Sequence, residues 1–219
     1  MCNDSCWDQG IQIQLIKTAC GAKFSWRSDP SLHAEELLSR LQQEGAISAA
    51  DVAGGRHCIH PAAIRASLAA SLDALGLETV DVLYVHNAAE AQLRAEGLTP
   101  FLRRLRGAFE ACEAERREGR VRAYGLATWT AFRVPPDSPD HHSLSAVLEL
   151  ARSVGGEGHG FRYVQLPVNA HMAEAWAEKW QQMEVRGEAG DARVKFVSLL
   201  DAAQMVRGSL GFRGCGKRS

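Results

Sequence analysis

A histidine that ends an apolar strand is the residue of this 219-residue chain best placed to do chemistry. Thr79 to Val85 reads Thr-Val-Asp-Val-Leu-Tyr-Val, rich in β-branched and aromatic residues, and delivers His86 at its C-terminal end. In a barrel of alternating strands and helices, that end faces the reactive mouth. An imidazole there can exchange a proton near neutral pH or can simply hydrogen-bond loop backbone. A second candidate is Lys17, which closes the strictly alternating run Ile11-Gln12-Ile13-Gln14-Leu15-Ile16 and would therefore stand at the end of a half-buried strand. Cys2, Cys6, His57, Cys58 and His60 carry zinc-type ligand atoms, but their spacing predicts no metal centre. Six cysteines without a CxxC pair, in a chain this long, also argue against a disulfide scaffold.

Positioning these side chains requires helices between the strands. From Pro61, the residues Ile64, Leu68, Leu72 and Leu75 recur at helical spacing, and Gly76 supplies a stop. A polar connection from Asn87 to Pro100 leads to a helix over Phe101 to Arg117, with Leu102, Leu105, Ala108, Phe109 and Cys112 on one face. Gly119 then introduces a strand from Val121 to Thr128, and a long loop from Thr130 to Ser143 places His141 and His142 in solvent. A helix over Leu144 to Val154 and a strand over Phe161 to Asn169 follow. Further helices are expected over Ala34 to Glu44, from near Met172 with Trp176 and Trp180 as core anchors, and over Phe196 to Gln204. Strands joined through helices define an α/β chain with a parallel sheet.

The wording of the elements is more specific than their periodicity. Ser71-Leu72-Asp73-Ala74-Leu75-Gly76-Leu77 followed by Asp81-Val82-Leu83-Tyr84-Val85-His86 closely resembles the signature of the aldo-keto reductase family. Downstream, Glu118-Gly119-Arg120-Val121-Arg122-Ala123-Tyr124-Gly125-Leu126-Ala127-Thr128 is similar to that family's Gly-Lys-Val-Arg strand, and Val164-Gln165-Leu166-Pro167-Val168-Asn169 to its Val-Gln-x-x-Tyr-Asn strand. The phrases fall in family order over Pro61 to Ala175.

The resemblance implies a (β/α)8 TIM barrel, here incomplete, with about half of its strands recognisable and both ends apparently truncated. Residues 1–205 would form the partial barrel, and 206–219 a flexible basic tail. It implies an oxidoreductase that reduces an aldehyde or ketone with NADP(H). His86 would hydrogen-bond the substrate carbonyl, and Lys17, in competition with Lys23, would lower the pKa of a catalytic tyrosine. Thr128, Gln165 and Asn169 would contact the nicotinamide, and Trp129 the substrate. Yet the three tyrosines, Tyr84, Tyr124 and Tyr163, all fall inside strands and none takes the catalytic tyrosine's place. A catalytically inactive or truncated relative, acting through partner binding at exposed barrel edges, is therefore the alternative.

Composition fits a cytoplasmic globular protein, and the resemblance adds a small-molecule carbonyl substrate. Hydrophobic residues make up 46%, charged residues 23%, and the formal net charge is -1, which leaves no basic footprint for nucleic acid. No apolar run approaches the roughly 18 residues of a membrane helix, and the polar start Met1-Cys2-Asn3-Asp4-Ser5-Cys6 is not that of a signal peptide.

Overall fold

Apolar strands flanked by amphipathic helices assemble into one four-stranded parallel sheet with helices packed on one face. The computed structural model describes residues 12–16, 30–186 and 191–209. In chain order the elements are β1 (Gln12–Ile16), α1 (Pro30–Gln43), a 3-10 turn (Ala49–Asp51), α2 (Pro61–Leu75), β2 (Val80–His86), α3 (Ala88–Glu96), α4 (Leu98–Arg117), β3 (Val121–Ala127), α5 (Leu144–Gly155), β4 (Phe161–Pro167), α6 (Glu174–Ala177), β5 (Gln181–Arg186), β6 (Ala192–Val197) and α7 (Leu199–Ser209).

The helix boundaries follow local chemistry. Proline at the first position of α2 needs no hydrogen-bond donor, and His60 caps the helix by accepting from the Ala62 amide. At the other end Gly76 adopts the left-handed conformation, φ 64°, and returns its N–H to the last turn. Along β2 and β3 the alternation sorts side chains to two faces: Leu83, Val85, Tyr124 and Leu126 pack toward the helices. There they meet Leu105, Ala108, Phe109 and Cys112 of α4 and Val147, Leu148 and Ala151 of α5. Phe109, Tyr124 and Phe161 form the aromatic centre, with ring centroids 5.1 to 5.9 Å apart.

Tyr124 brings a hydroxyl into that core, and Glu113 accepts from it at 3.1 Å. The same carboxylate accepts from the Gly160 amide at 2.6 Å and pairs with Arg116 at 3.1 Å. A buried acid is thus satisfied by three donors, and it ties α4 to the start of β4 at the end of the sheet opposite His86.

The strand order is β1-β4-β3-β2. A barrel that follows chain order would set β1 beside β2; instead β1 pairs in parallel with β4, from Gln12 opposite Tyr163 to Ile16 opposite Pro167. Among the described residues, β2 pairs with β3 alone. Register slips between Tyr124 and Gly125 on the β3–β4 side, and this brings Gly125 against the backbone of Tyr163.

Several expectations are corrected. The connection after His86 is a helix, α3, because Ala88-Ala89-Glu90-Ala91-Gln92-Leu93 are strong helix formers bounded by Asn87 and Gly97. The helix expected from near Met172 is a single turn, Glu174–Ala177, which excludes Trp180 and leaves Trp176 57% exposed rather than anchoring core. Residues Phe196 to Gln204 divide between β6 and α7, and β6 pairs with β5 in an antiparallel hairpin that period-3.6 reading passed over. His142 is buried, not solvated, and His141 is tied by Nδ1 to the Val134 carbonyl at 2.9 Å. The helix α7 runs through Ser209, across the expected 205/206 boundary; residues 210–219 lie outside the described residues.

Candidate active site

Parallel pairing brings the C-terminal ends of β2, β3 and β4 to one edge of the sheet, and register decides what stands there. His86 is opposite Ala127, and Ala127 is opposite Gln165. All three alternate away from the helix-packed residues Val85, Leu126 and Val164, so they share the opposite face of the sheet. With strands ~4.8 Å apart, His86 and Gln165 stand roughly 10 Å apart across the small Ala127. One layer deeper on the same face, Tyr84 and Tyr163 flank Gly125, their rings edge to face at 6.4 Å. Burial and the neighbouring Tyr163 raise the Tyr84 pKa, which makes that phenol a poorer proton donor than a free one.

The strand end at His86 is sharply turned. Asn87 takes the left-handed conformation, φ 48°, a geometry that asparagine tolerates better than most residues, and opens α3. Its N–H donates to the Ala127 carbonyl at 2.7 Å, while the His86 carbonyl lies 2.7 Å from His57 Nε2. His57 comes from the tight loop closed by the Ala53–His57 bridge. Desolvation lowers its pKa, so the ring is neutral.

The rim after β3 is built around Glu90 of α3. Its Oε1 accepts from the Thr128 hydroxyl, from the Trp129 and Thr130 amides at 2.7 and 2.6 Å, and from the Thr130 hydroxyl at 3.1 Å. Burial by itself would raise the Glu90 pKa; the hydrogen bonds from Thr128, Thr130 and Trp129 outweigh it and hold the carboxyl below its ordinary value. From the other side, the Arg133 guanidinium donates to the Trp129 carbonyl at 2.8 Å and pairs with Glu174 at 2.9 Å. The Trp129 backbone is therefore clamped on both sides while the side chain stays 52% exposed.

The residues singled out from the sequence thus meet different fates. His86 and Gln165 are brought to one line on one face. Trp129 stands on the rim, and the Thr128 hydroxyl, buried, is turned to Glu90. Asn169 uses its Oδ1 to accept from the His171 amide at 2.9 Å, shaping the turn after β4. Lys17 and Lys23 lie outside the described residues, but β1, which leads to Lys17, is at the opposite edge of the sheet from His86. Glu90 and Gln92 were not singled out, and His57 was weighed only as a zinc-type ligand; the run of helix formers between Asn87 and Gly97 is the signal that places the first two.

Truncating Glu90 tests this rim. Glu90→Ala is expected to cost about 2 kcal/mol, since it leaves several donors on one turn without their charged acceptor. Glu90→Gln, which keeps an acceptor oxygen, is expected to cost less than half of that. Urea unfolding measures both, and hydrogen exchange at the Trp129 and Thr130 amides should accelerate in the alanine variant alone.

Residues 35–135 match the aldo/keto reductase family. The matched segment runs from α1 to the loop after β3, so it includes His86, Thr128 and Trp129 and stops before β4 with Gln165 and Asn169. No curated protein sequence matches the chain. Among the described residues, no helix is long and apolar enough to cross a membrane.

Proposed function

We propose that this chain is an oxidoreductase of aldo-keto reductase type, an incomplete (β/α)8 barrel that binds the nicotinamide of NADP(H) and a small aldehyde or ketone on the face of its sheet opposite the helix-packed side. The observation that carries this reading is the single register line His86, Ala127, Gln165 at the C-terminal strand ends. In it His86 hydrogen-bonds the carbonyl oxygen and polarises it. Gln165, half-buried, has both a donor and an acceptor for the nicotinamide carboxamide, and Ala127 leaves space between the two groups. Trp129 offers an exposed indole face to a planar substrate group. Bound NADP(H) would supply the hydride; this chain's residues would orient the carbonyl beside it.

His86 and Gln165 would, in this reading, meet the nicotinamide end of the cofactor. In this reading Thr128 and Asn169 act on the cofactor through the loops that they shape, since both side chains hold those loops. Lys17 would act from the sheet edge formed by β1.

Titration of the full chain with NADPH, followed by nicotinamide fluorescence, tests the reading. Gln165→Leu should weaken binding about tenfold, the loss of roughly one hydrogen bond to a buried amide. His86→Ala should leave binding within about twofold and abolish turnover of a panel of carbonyl substrates. Absence of any binding at ~1 mM NADPH, an affinity floor near 4 kcal/mol, overturns it.

A second reading rests on β2, which among the described residues pairs with β3 alone. Under it the chain is a non-catalytic relative that pairs this edge with a partner strand. Self-association that a Val82→Pro substitution abolishes, in a chain that binds no NADPH, would favour this second reading.

A further inference from the structure

Behind the His86 strand end, a chain of hydrogen bonds fixes the protonation state of a second histidine. Arg104 of α4 can only donate. Its Nη1 approaches Gln92 Oε1 at 3.3 Å and pairs with Glu96 at 2.8 Å, and its Nη2 donates to the Ala50 carbonyl at 2.7 Å. The fully buried Gln92 amide is thereby oriented, with its oxygen toward Arg104 and its NH2 donating to His57 Nδ1 at 3.2 Å. Nδ1 must then be the bare nitrogen, and hydrogen-bond logic assigns the proton to Nε2, which donates to the His86 carbonyl at 2.7 Å.

That carbonyl and the Asn87 N–H belong to one peptide unit. Its N–H is held by the Ala127 carbonyl of β3 and its oxygen by His57, so the plane immediately after the His86 side chain is pinned from both sides. Protonating His57 would set Nδ1–H against the Gln92 NH2. Rotating the amide to relieve that contact would turn its NH2 toward Arg104, so each protonated arrangement contains two donors facing each other. The ionisable groups that face the ring are His86 and Glu90, with Arg104 and Glu96 one link away through Gln92. Desolvation, the largest influence, and His86 disfavour the imidazolium; the hydrogen bond to the His86 carbonyl and Glu90 favour it, and disfavour wins.

We propose that His57 is a positioning residue for His86, held as the neutral Nε2–H tautomer by Arg104 and Gln92, and that acidification uncouples the His86 strand end from α3 and α4. The functional half of this rests on His86 being the carbonyl-binding residue; the relay itself does not.

The test is two-bond 1H–15N NMR of the histidine-labelled full chain across pH 5 to 8. His57 should appear as the Nε2–H tautomer with a midpoint below 6.5; an Nδ1–H tautomer, or a midpoint at or above 6.5, overturns the proposal. Gln92→Glu should raise that midpoint by about one unit or more, because a carboxylate facing Nδ1 stabilises the imidazolium. Should the buried charge prevent folding, Arg104→Met serves instead, and a mixture of both His57 tautomers is expected once the amide can rotate. An unchanged midpoint in Gln92→Glu, or an unchanged single tautomer in Arg104→Met, overturns the relay. His57→Gln retains an N–H at the Nε2 position and should preserve the His86 ring resonances at pH 7, whereas His57→Ala should shift them. Identical His86 resonances in wild type and His57→Ala overturn the positioning role whatever the tautomer. All of these signals are read without NADPH, so failure of cofactor binding and failure of the relay remain distinct results.

Discussion

Gly125→Ala is expected to unfold the sheet from its middle. A Cβ at this position would collide with the Tyr163 carbonyl and lie 2.8 Å from both the Tyr163 carbonyl carbon and its Cβ. Two of these three are backbone atoms of the paired strand, so no flexible side chain can swing aside; either β3 or β4 must move. The site coincides with the register slip between Tyr124 and Gly125, and β3 pairs on both sides. Overpacking of this kind typically costs 1 to 3 kcal/mol, and a backbone collision in a central strand belongs at or above the upper end, about 3 kcal/mol or more. For a domain of this size that loss is a large fraction of total stability. Urea or thermal unfolding measures it; a Gly125→Ala variant within about 1 kcal/mol of wild type would mean that the strands do not approach as described.

Acid is expected to destabilise the fold from pH 6.5 downward. Burial lowers His142 from 6.5 to about 4, with the adjacent His141 adding to the effect. Its ring lies between Phe101, edge-on at 5.4 Å, and Phe132, stacked at 6.1 Å, and its buried Nε2 has no hydrogen-bond partner among the described residues. His159, buried beside Arg162 and Arg152, is likewise lowered from 6.5 to about 4. Both rings are neutral when folded and would be protonated when unfolded once the pH is below 6.5. The unfolded chain then binds more protons, so stability is complete above 6.5, declines as the pH falls, and has lost these contributions at about 4. At 1.36 kcal/mol per unit, each histidine accounts for roughly 3 kcal/mol over that window. His142→Phe isolates one of the two. It replaces an orphaned polar atom by an aromatic carbon, so stability at pH 7 should change by less than about 1 kcal/mol while the acid loss falls by about half. Parallel pH curves for wild type and His142→Phe would sink the assignment.

What could be read from the sequence was whatever depended on a local period or a short phrase. The α2–β2 module, with Pro61 at its start, Gly76 at its stop and His86 at its end, needed only neighbouring residues to specify it, and it lies where it was expected. The same holds for α5 and β4. Other features depended on contacts between distant segments. His142 and its partner rings Phe101 and Phe132 lie on three separate segments, so a proline-rich stretch of sequence looked solvated while the fold buried it. The rim shows the same limit: Thr128 has the hydroxyl expected of a cofactor contact, but the acid that captures it is 38 residues away on a helix where the sequence predicts only a polar connection. Likewise, β5 and β6 are short and largely polar, with alternation too weak to stand out beside the long helices.

The placement of β1 bears on how the molecule assembles. The strands β2, β3 and β4 are consecutive neighbours joined through single crossovers, so each can add to the last as the intervening helices condense. By contrast, β1 reaches its place only by closing a loop that contains α1 through α5, the entropic cost of which must be met before any of its ladder bonds form. Topology therefore makes β1 the last strand to dock. Until it does, β4 presents a bare backbone edge directly beside Gln165, and the order of folding sets how long that edge is open to another chain.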